Sequence, residues 1–365
     1  MRRATAIACA AALAAVSAAR AGESAKTLLE ASGVTAGLCV HLGVTDGEFT
    51  AELGRSGNFL VHGLSADAPT VEKARVHIAG QGLYGRVSVE RRSLDKLPYA
   101  DGLANLIVVS AAAKGVKAEE VARVLAPSGV ACFEGSVPAV RGLKSLKKSG
   151  RWTLMTKPLP EGGDEWTHQT YDTSGNRVSK DVLAGPPQRV RWIAGVTWAM
   201  PDYKAKSMVV GGGRVYYVIN EGAVRKQGWP YLSVRDAFSG VLLWKRAAAP
   251  VPLTMISAGD RFYMSSGPKN EKFVAVAGAS GKLIREYPEA ATPRWAFLHD
   301  GKLLVACGRS STLKCLDPES GKARWTCANR SLEPGGGLPN AAILGDRLVY
   351  TERRNETIGC LDLAT

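Results

Sequence analysis

From Lys26 to Glu134, apolar runs of strand length alternate with stretches whose apolar residues recur at helical spacing. The candidate strands are Gly37–Gly43, Asn58–Gly63, Arg86–Arg91, Ala104–Ser110 and Gly129–Glu134, and the candidate helices lie near Glu48–Leu53, Pro69–Ala79 and Ala118–Leu125. Strand and helix in alternation predict a Rossmann-like parallel sheet covered on both faces. In such a sheet a ligand sits at the carboxyl ends of the strands, where the strand order reverses.

Beyond about residue 160 the helical period is gone, and short β-rich runs, Gly, Pro and Trp take over. A repeat is present there. VRDAFSGVLLW (234–244) matches CLDPESGKARW (315–325), with VAGASGKLIRE (276–286) a weaker copy between them. The turn glycines Gly240, Gly281 and Gly321 are 41 and 40 residues apart. A second element begins at Gly213, Gly259, Gly301 and Gly345, and its basic residues Arg214, Arg261, Lys302 and Arg347 are spaced 47, 41 and 45 apart. Short strands at this period predict four-stranded propeller blades. In the turn Asp-x-x-Ser-Gly, the Asp or Ser side chain satisfies backbone amides while Gly takes positive φ. Trp244 and Trp325, four residues past the glycine, are expected to fasten one blade to the next. The middle copy has Ala277 for the Asp and Arg285 for the Trp, which predicts a looser junction. The final CLDLAT aligns with CLDPES of the preceding copy, so the roughly four repeats read as a propeller truncated at its carboxyl end.

The amino terminus changes the expected location. Arg2 and Arg3 precede an apolar stretch from Ala4 to Ala19, and Ala19-Arg20-Ala21 offers a cleavage site, the pattern of a secretory leader. The expectation is therefore an exported protein, periplasmic or extracellular, with no transmembrane segment. Loss of Arg2, Arg3 and Arg20 with the leader would take the net charge from +14 to +11. The densest basic cluster is Arg141, Lys144, Lys147, Lys148 and Arg151; without interleaved aromatics it reads as a solvated helix face or linker, and gives no clear nucleic-acid signal. Six of seven cysteines remain after the leader, with no C-x-x-C pair and no metal-ligand spacing, so no metal site is expected. The chain thus divides into a leader (1–21), an α/β domain (22–150), a linker and lead-in (151–190) and all-β repeats (191–365).

The repeat half resembles the PQQ-binding-like β-propeller family, whose blades carry D-x-x-[ST]-G-x-x-x-W, and 163–192 looks like the lead-in of secreted, multi-domain members of planctomycete type. The resemblance implies either a quinoprotein oxidoreductase that binds PQQ in a longer product or a non-catalytic scaffold. No vicinal Cys-Cys is present, and only Trp198 and Trp229 are candidates to face a channel. The first half, across roughly 30–135, resembles the class I S-adenosylmethionine (SAM)-dependent methyltransferases in VHLGVTDGEFTAEL, RSLDKLPYADGLANLIVVS and EEVARVLAPSGVACFEG. That resemblance implies a SAM site in which Gly43 and Gly47 form the cofactor turn and Asp67 and Asp95 stand near the ribose and adenine. The departures are His41 at the acid position, Thr45 at the central glycine, Ser65 at the ribose acid and Ser93 at the adenine acid. Thr45 would be strained if the turn needed positive φ there. His41 and His62 are read as rim histidines at strand ends, and His168 as a ligand to a turn. The combined expectation is a binding or scaffold protein whose propeller face takes a protein or glycan partner and whose methyltransferase-like domain is inactive. The alternatives are a working SAM-dependent methyltransferase and the quinoprotein.

Overall fold

The computed structural model describes residues 24–183, 185–186, 190–194, 207–221, 229–248, 250–308, 312–328, 341–351 and 358–363. The leader at 1–21 and Trp198 lie outside them, as does the side chain of Trp229. The chain forms two compact units, Met1–Pro158 and Leu159–Thr365.

In the first unit the elements run α1 (Ala25–Ser32), β1 (Ala36–Leu42), α2 (Glu48–Ser56), β2 (Asn58–Ser65), α3 (Ala68–Gly80), β3 (Val87–Arg91), β4 (Ala104–Val109), α4 (Ala118–Val124), β5 (Leu125–Glu134), β6 (Lys144–Ser149) and β7 (Trp152–Thr156). They build one sheet of order β3-β2-β1-β4-β5-β7-β6. β1 to β5 pair in parallel, and β7 runs antiparallel to both of its neighbours. The strand order reverses beside β1, between β1 and β4, which places the ligand rim at the ends of these two strands.

The five expected strands and three helices are present. The stretch expected as a basic helix face or linker is instead β6 and β7, so the sheet runs on past residue 150. β7 buries Trp152 and Leu154 at 1 % and 0 % exposure, whereas β6 is an edge strand whose first five residues are all exposed. With neither face buried, β6 has no apolar alternation to betray it. α1 was not anticipated; Ser24 caps it, accepting from the Thr27 amide, and Leu28 and Leu29 seal one end of the core.

The second unit is a series of antiparallel meanders. The first holds β8 (Ser207–Gly211), β9 (Arg214–Glu221), β10 (Trp229–Asp236) and β11 (Leu242–Ala247); the second, β12 (Met255–Ala258), β13 (Arg261–Ser266), β14 (Lys272–Ala277) and β15 (Leu283–Glu286). The third holds β16 (Pro293–His299), β17 (Lys302–Cys307), β18 (Thr312–Leu316) and β19 (Ala323–Ala328), and a three-stranded sheet follows from β20 (Ala341–Leu344), β21 (Arg347–Thr351) and β22 (Ile358–Asp362). The repeat read in the sequence is a structural repeat. A register shift recurs at Val234/Arg235, Ala275/Val276 and Cys315/Leu316.

The turns do what their residues suggest. Asp236 Oδ1 accepts from the amides of Phe238 and Ser239 at 3.1 and 2.6 Å, and Asp317 Oδ1 accepts from those of Glu319 and Ser320 at 3.1 and 2.8 Å. Each turn glycine lies under an aromatic side chain from earlier in the chain. Trp192 packs over Gly240 and donates to Ala237 O; Trp244 packs over Gly281 and donates to Gly278 O. The junction expected to be loose is filled differently. Tyr287, two residues past Arg285, is 1 % exposed, packs against Gly321 and donates to Pro318 O at 2.6 Å. The recurring basic residues also reach forward, Arg214 to Asp260, Arg261 to Glu319 and Lys302 to Leu363 O.

The lead-in straps the first strand of each sheet. The Val210 amide donates to Trp166 O, the Ser257 amide to Thr167 O, the Leu298 amide to His168 Nε2 and the Ile343 amide to Thr173 O, at 2.7 to 3.2 Å. The main chain of His168 pairs with Tyr171 across a turn, as expected, while its ring accepts from a strand, and burial pushes its pKa down to about 4.

Candidate functional site

The candidate site is the β1–α2 turn, Gly43 to Gly47, at the reversal of strand order. Gly43 and Gly47 have φ of +82° and +87°, while Thr45 does not have positive φ, so the strain expected at Thr45 does not arise. Both glycines are required by the chain itself. A Cβ on Gly43 would fall 2.4 Å from the Ala113 amide nitrogen in the loop after β4, and one on Gly47 would fall 2.9 Å from the backbone of Ala74 in α3. Gly43, Val44 and Gly47 are buried, and the amides of Gly43 and Val44 both donate to Leu64 O.

The loop over Gly43 is latched from two sides. Its first residue, Ser110, hydrogen-bonds His41 Nε2 at 2.8 Å, and the Ala111 amide donates to Glu134 Oε2 at 2.8 Å. Arg151 stands 3.6 Å from the other oxygen of Glu134. On its far side the His41 ring meets Thr50 Oγ1 of α2 through Nδ1 at 2.8 Å. His41 is 3 % exposed, and burial lowers its pKa to about 4, so the imidazole is neutral at pH 7. A neutral ring has one donor and one acceptor, and the two hydroxyls can serve both. His41 thus ties β1, α2 and the end of β4 together.

The other sequence candidates do not converge on the turn. Asp67 is the N-cap of α3, its Oδ2 accepting from the Thr70 amide at 2.9 Å and from the Thr70 hydroxyl; these bonds hold its carboxyl below the usual range. It is a helix cap, and Ser65, 8 % exposed, occupies the end of β2. Asp95 is exposed and accepts from the Ser93 hydroxyl, which lowers its pKa. His62 is not at a strand end but within β2. It pairs in register with Val40 while His41 pairs with Gly63, which puts the two imidazoles on opposite faces of the sheet. His62 meets Tyr99 Oη at 2.9 Å and Glu90 at 3.7 Å, and burial lowers its pKa. Among the described residues no group of His, Cys, Asp or Glu is arranged to hold a metal ion.

The motif residues after the turn have structural partners. Arg123 forks onto both oxygens of Glu120 at 2.9 Å and reaches Asp101 and the carbonyls of Leu97 and Tyr99, while Glu120 accepts from the Leu97 amide. The Arg123 guanidinium holds the Glu120 carboxyl down at about 2. The E-x-x-R and LPYAD stretches therefore clamp each other, and their match to the family reports a folded loop. Thr50, Ser110 and Glu134 were missed by sequence reasoning, because a lone hydroxyl or carboxylate at an element's end carries no motif.

The first unit is a Rossmann-like sheet of methyltransferase type. Residues 40–133 match the family model described as methyltransferase domain. Among solved structures the chain is similar to a Methanococcus maripaludis protein assigned as an S-adenosyl-L-methionine-dependent methyltransferase, at 15% identity and TM-score 0.33, over 38% of this chain and 84% of that one. It is also similar to the YcgJ protein from Bacillus subtilis, at 19% identity and TM-score 0.28 over 30% of this chain, and spans 48% of that protein's length. A third is geranyl diphosphate C-methyltransferase from Streptomyces coelicolor, at 16% identity and TM-score 0.28, over 30% of this chain and 43% of that one. No curated protein matches the chain.

The residues present do not fit SAM as they stand. The glycine that would admit the cofactor is backed by protein main chain, the acid position is a neutral imidazole, and the carboxylates of Asp67 and Asp95 are spent on a cap and a local turn.

Proposed function

We propose that the chain is an exported binding or scaffold protein, periplasmic or extracellular. Its methyltransferase-type domain is held closed by its own main chain after β4, and its β meanders are PQQ-like propeller repeats that present a rigid face to a protein or glycan partner. The observation that carries the closed reading is the 2.4 Å approach of the Ala113 amide nitrogen to the position of a Gly43 Cβ. A turn that gripped a nucleoside would leave that approach to the ligand. The successive antiparallel meanders, their recurring turns and the strap across their first strands support the repeat reading.

A second reading, a SAM-dependent methyltransferase, is favoured by the family match over residues 40–133, which speaks for it more directly than for a scaffold. In that reading the loop after β4 swings off Gly43, and Asp67 and Asp95 are recruited. No observation favours the quinoprotein. Calorimetric titration of the full chain with SAM separates the two. Closure predicts no heat of binding up to millimolar cofactor. Micromolar affinity that falls tenfold or more in Asp95→Ala would establish the methyltransferase reading instead.

A further inference from the structure

Between Glu134 and Glu161 the sequence has no acidic residue, yet it holds Arg141, Lys144, Lys147, Lys148, Arg151 and Lys157. Lys157 is used internally, donating to Ala122 O. The other five belong to the β6–β7 hairpin and the approach to it. β6 is the outermost strand of the sheet, and Lys144, Lys147 and Lys148 are exposed. Among the described residues Arg141, Lys144, Lys147 and Lys148 make no ion pair, and Arg151 stacks 5.2 Å over Trp152 beside Glu134. In an extended strand Lys144 to Lys148 span ~13 Å, at ~3.3 Å per residue. A helix would have gathered these charges on one face; the edge strand strings them along its length, with Lys144 and Lys147 on one face, either side of the register shift, and Lys148 on the other. Where the row ends, a cleft of about 410 Å³ opens, lined by Lys148, Arg151, Glu134 and Ala111 among others. That size holds a small ligand group.

We infer that the β6–β7 hairpin binds an acidic polysaccharide, its carboxylates or sulfates following the lysine row and one charged sugar entering the cleft at Arg151. Apart from Glu134 beside Arg151, the sequence from 135 to 160 supplies no acidic residue to cancel this charge, so it attracts a chain of regularly spaced anions. Two other partners fit less well. Single-stranded nucleic acid gains from exposed rings on which bases stack, and the ring beside the cations, Trp152, is 1 % exposed. An acidic peptide adding as a further strand would need an even edge, but the register of β6 shifts between Ser145 and Lys147, and edge lysines oppose strand addition. The inference lies on the first unit and requires neither reading of the glycine turn.

The test uses the full chain and fluorescence anisotropy with labelled polygalacturonate, dextran sulfate and a DNA duplex, each across a salt series. The two polysaccharides tell carboxylate from sulfate as the source of charge. Lys144→Gln/Lys147→Gln/Lys148→Gln is expected to weaken polysaccharide binding about tenfold or more and to flatten its salt dependence. Lys26→Gln/Lys73→Gln/Lys96→Gln removes the same charge from exposed positions elsewhere on the unit and is expected to leave affinity within about twofold. Thermal melts of both triple variants confirm that each folds. Equal losses in the two variants, no binding to either polysaccharide at about 0.1 M salt, or tighter binding of the duplex would each overturn the inference.

Discussion

Gly43 in the first unit and Gly281 in the second both hold positive φ, +82° and +68°, and both would drive a Cβ into a neighbour. The neighbours differ in kind. Over Gly43 lies the main chain of Ala112 and Ala113; over Gly281 lies the ring of Trp244, whose Nε1 donates to Gly278 O. Main chain cannot retreat without moving its loop, whereas a ring can rotate. A retained glycine in a cofactor-like turn therefore reports only that something comes close. In this chain the close approach is the protein's own in both units, and in the first unit it stands where a ligand would be expected.

The sharpest way to break the comparison is to add the missing carbon. Gly43→Ala combines overpacking against main chain with a side chain at positive φ and is expected to cost about 3 kcal/mol. Gly281→Ala, whose neighbour can shift, is expected to cost about half as much. Urea unfolding of the full chain reads both, and equal losses would show that the loop after β4 is not seated on Gly43.

The next effect compares the two buried histidines. His41 titrates near 4 in the folded protein against 6.5 when exposed, so its depressed pKa gives stability that is complete above about pH 6.5 and lost as pH falls toward 4. The size is about 3 kcal/mol, because the unfolded chain takes up the proton first. His168 in the second unit follows the same sign. His41→Gln, which can still bond both hydroxyls, is expected to gain on the wild type as pH drops from 6.5 to 4, leaving the His168 share of the slope. A constant gap between the two proteins would show that His41 is not held neutral by burial.

The smallest effect concerns the junction filled by Tyr287. Tyr287→Phe keeps the ring against Gly321 and loses only the bond to Pro318 O, for about 1 kcal/mol. Trp244→Ala removes both ring and bond at the neighbouring junction and is expected to cost about 3 kcal/mol. If Tyr287→Phe proved neutral, the middle junction would be the loose one that Arg285 suggested.

Much of this was legible in the residues. Parallel strands buried on both faces are apolar runs, and β1 to β5 were recognisable as such. The Asp-x-x-Ser-Gly turns close on themselves within a few residues, so their hydrogen bonds follow from local chemistry alone. β6 was not legible, because an edge strand exposed on both faces has no pattern to show. Tyr287 was passed over because it stands two positions away from the place the motif reserves for Trp. His62 was misplaced by a few residues, and in a strand an odd offset in register is enough to change faces. Asp67 was read as a displaced ligand, although a carboxylate before a proline-containing first turn is equally a cap.

By itself the sequence determined the period of the elements, the α/β or all-β class of each half and the turn glycines of the repeat that take positive φ, because these depend on neighbours within a few residues. What fills the space above Gly43 and the Ser110 hydroxyl that holds His41 come from a segment about 70 residues along the chain, and where the lysines of β6 lie was decided by the pairing of β6 with β7 at the sheet edge. Those contacts exist only once the sheet has assembled, and no local pattern encodes them.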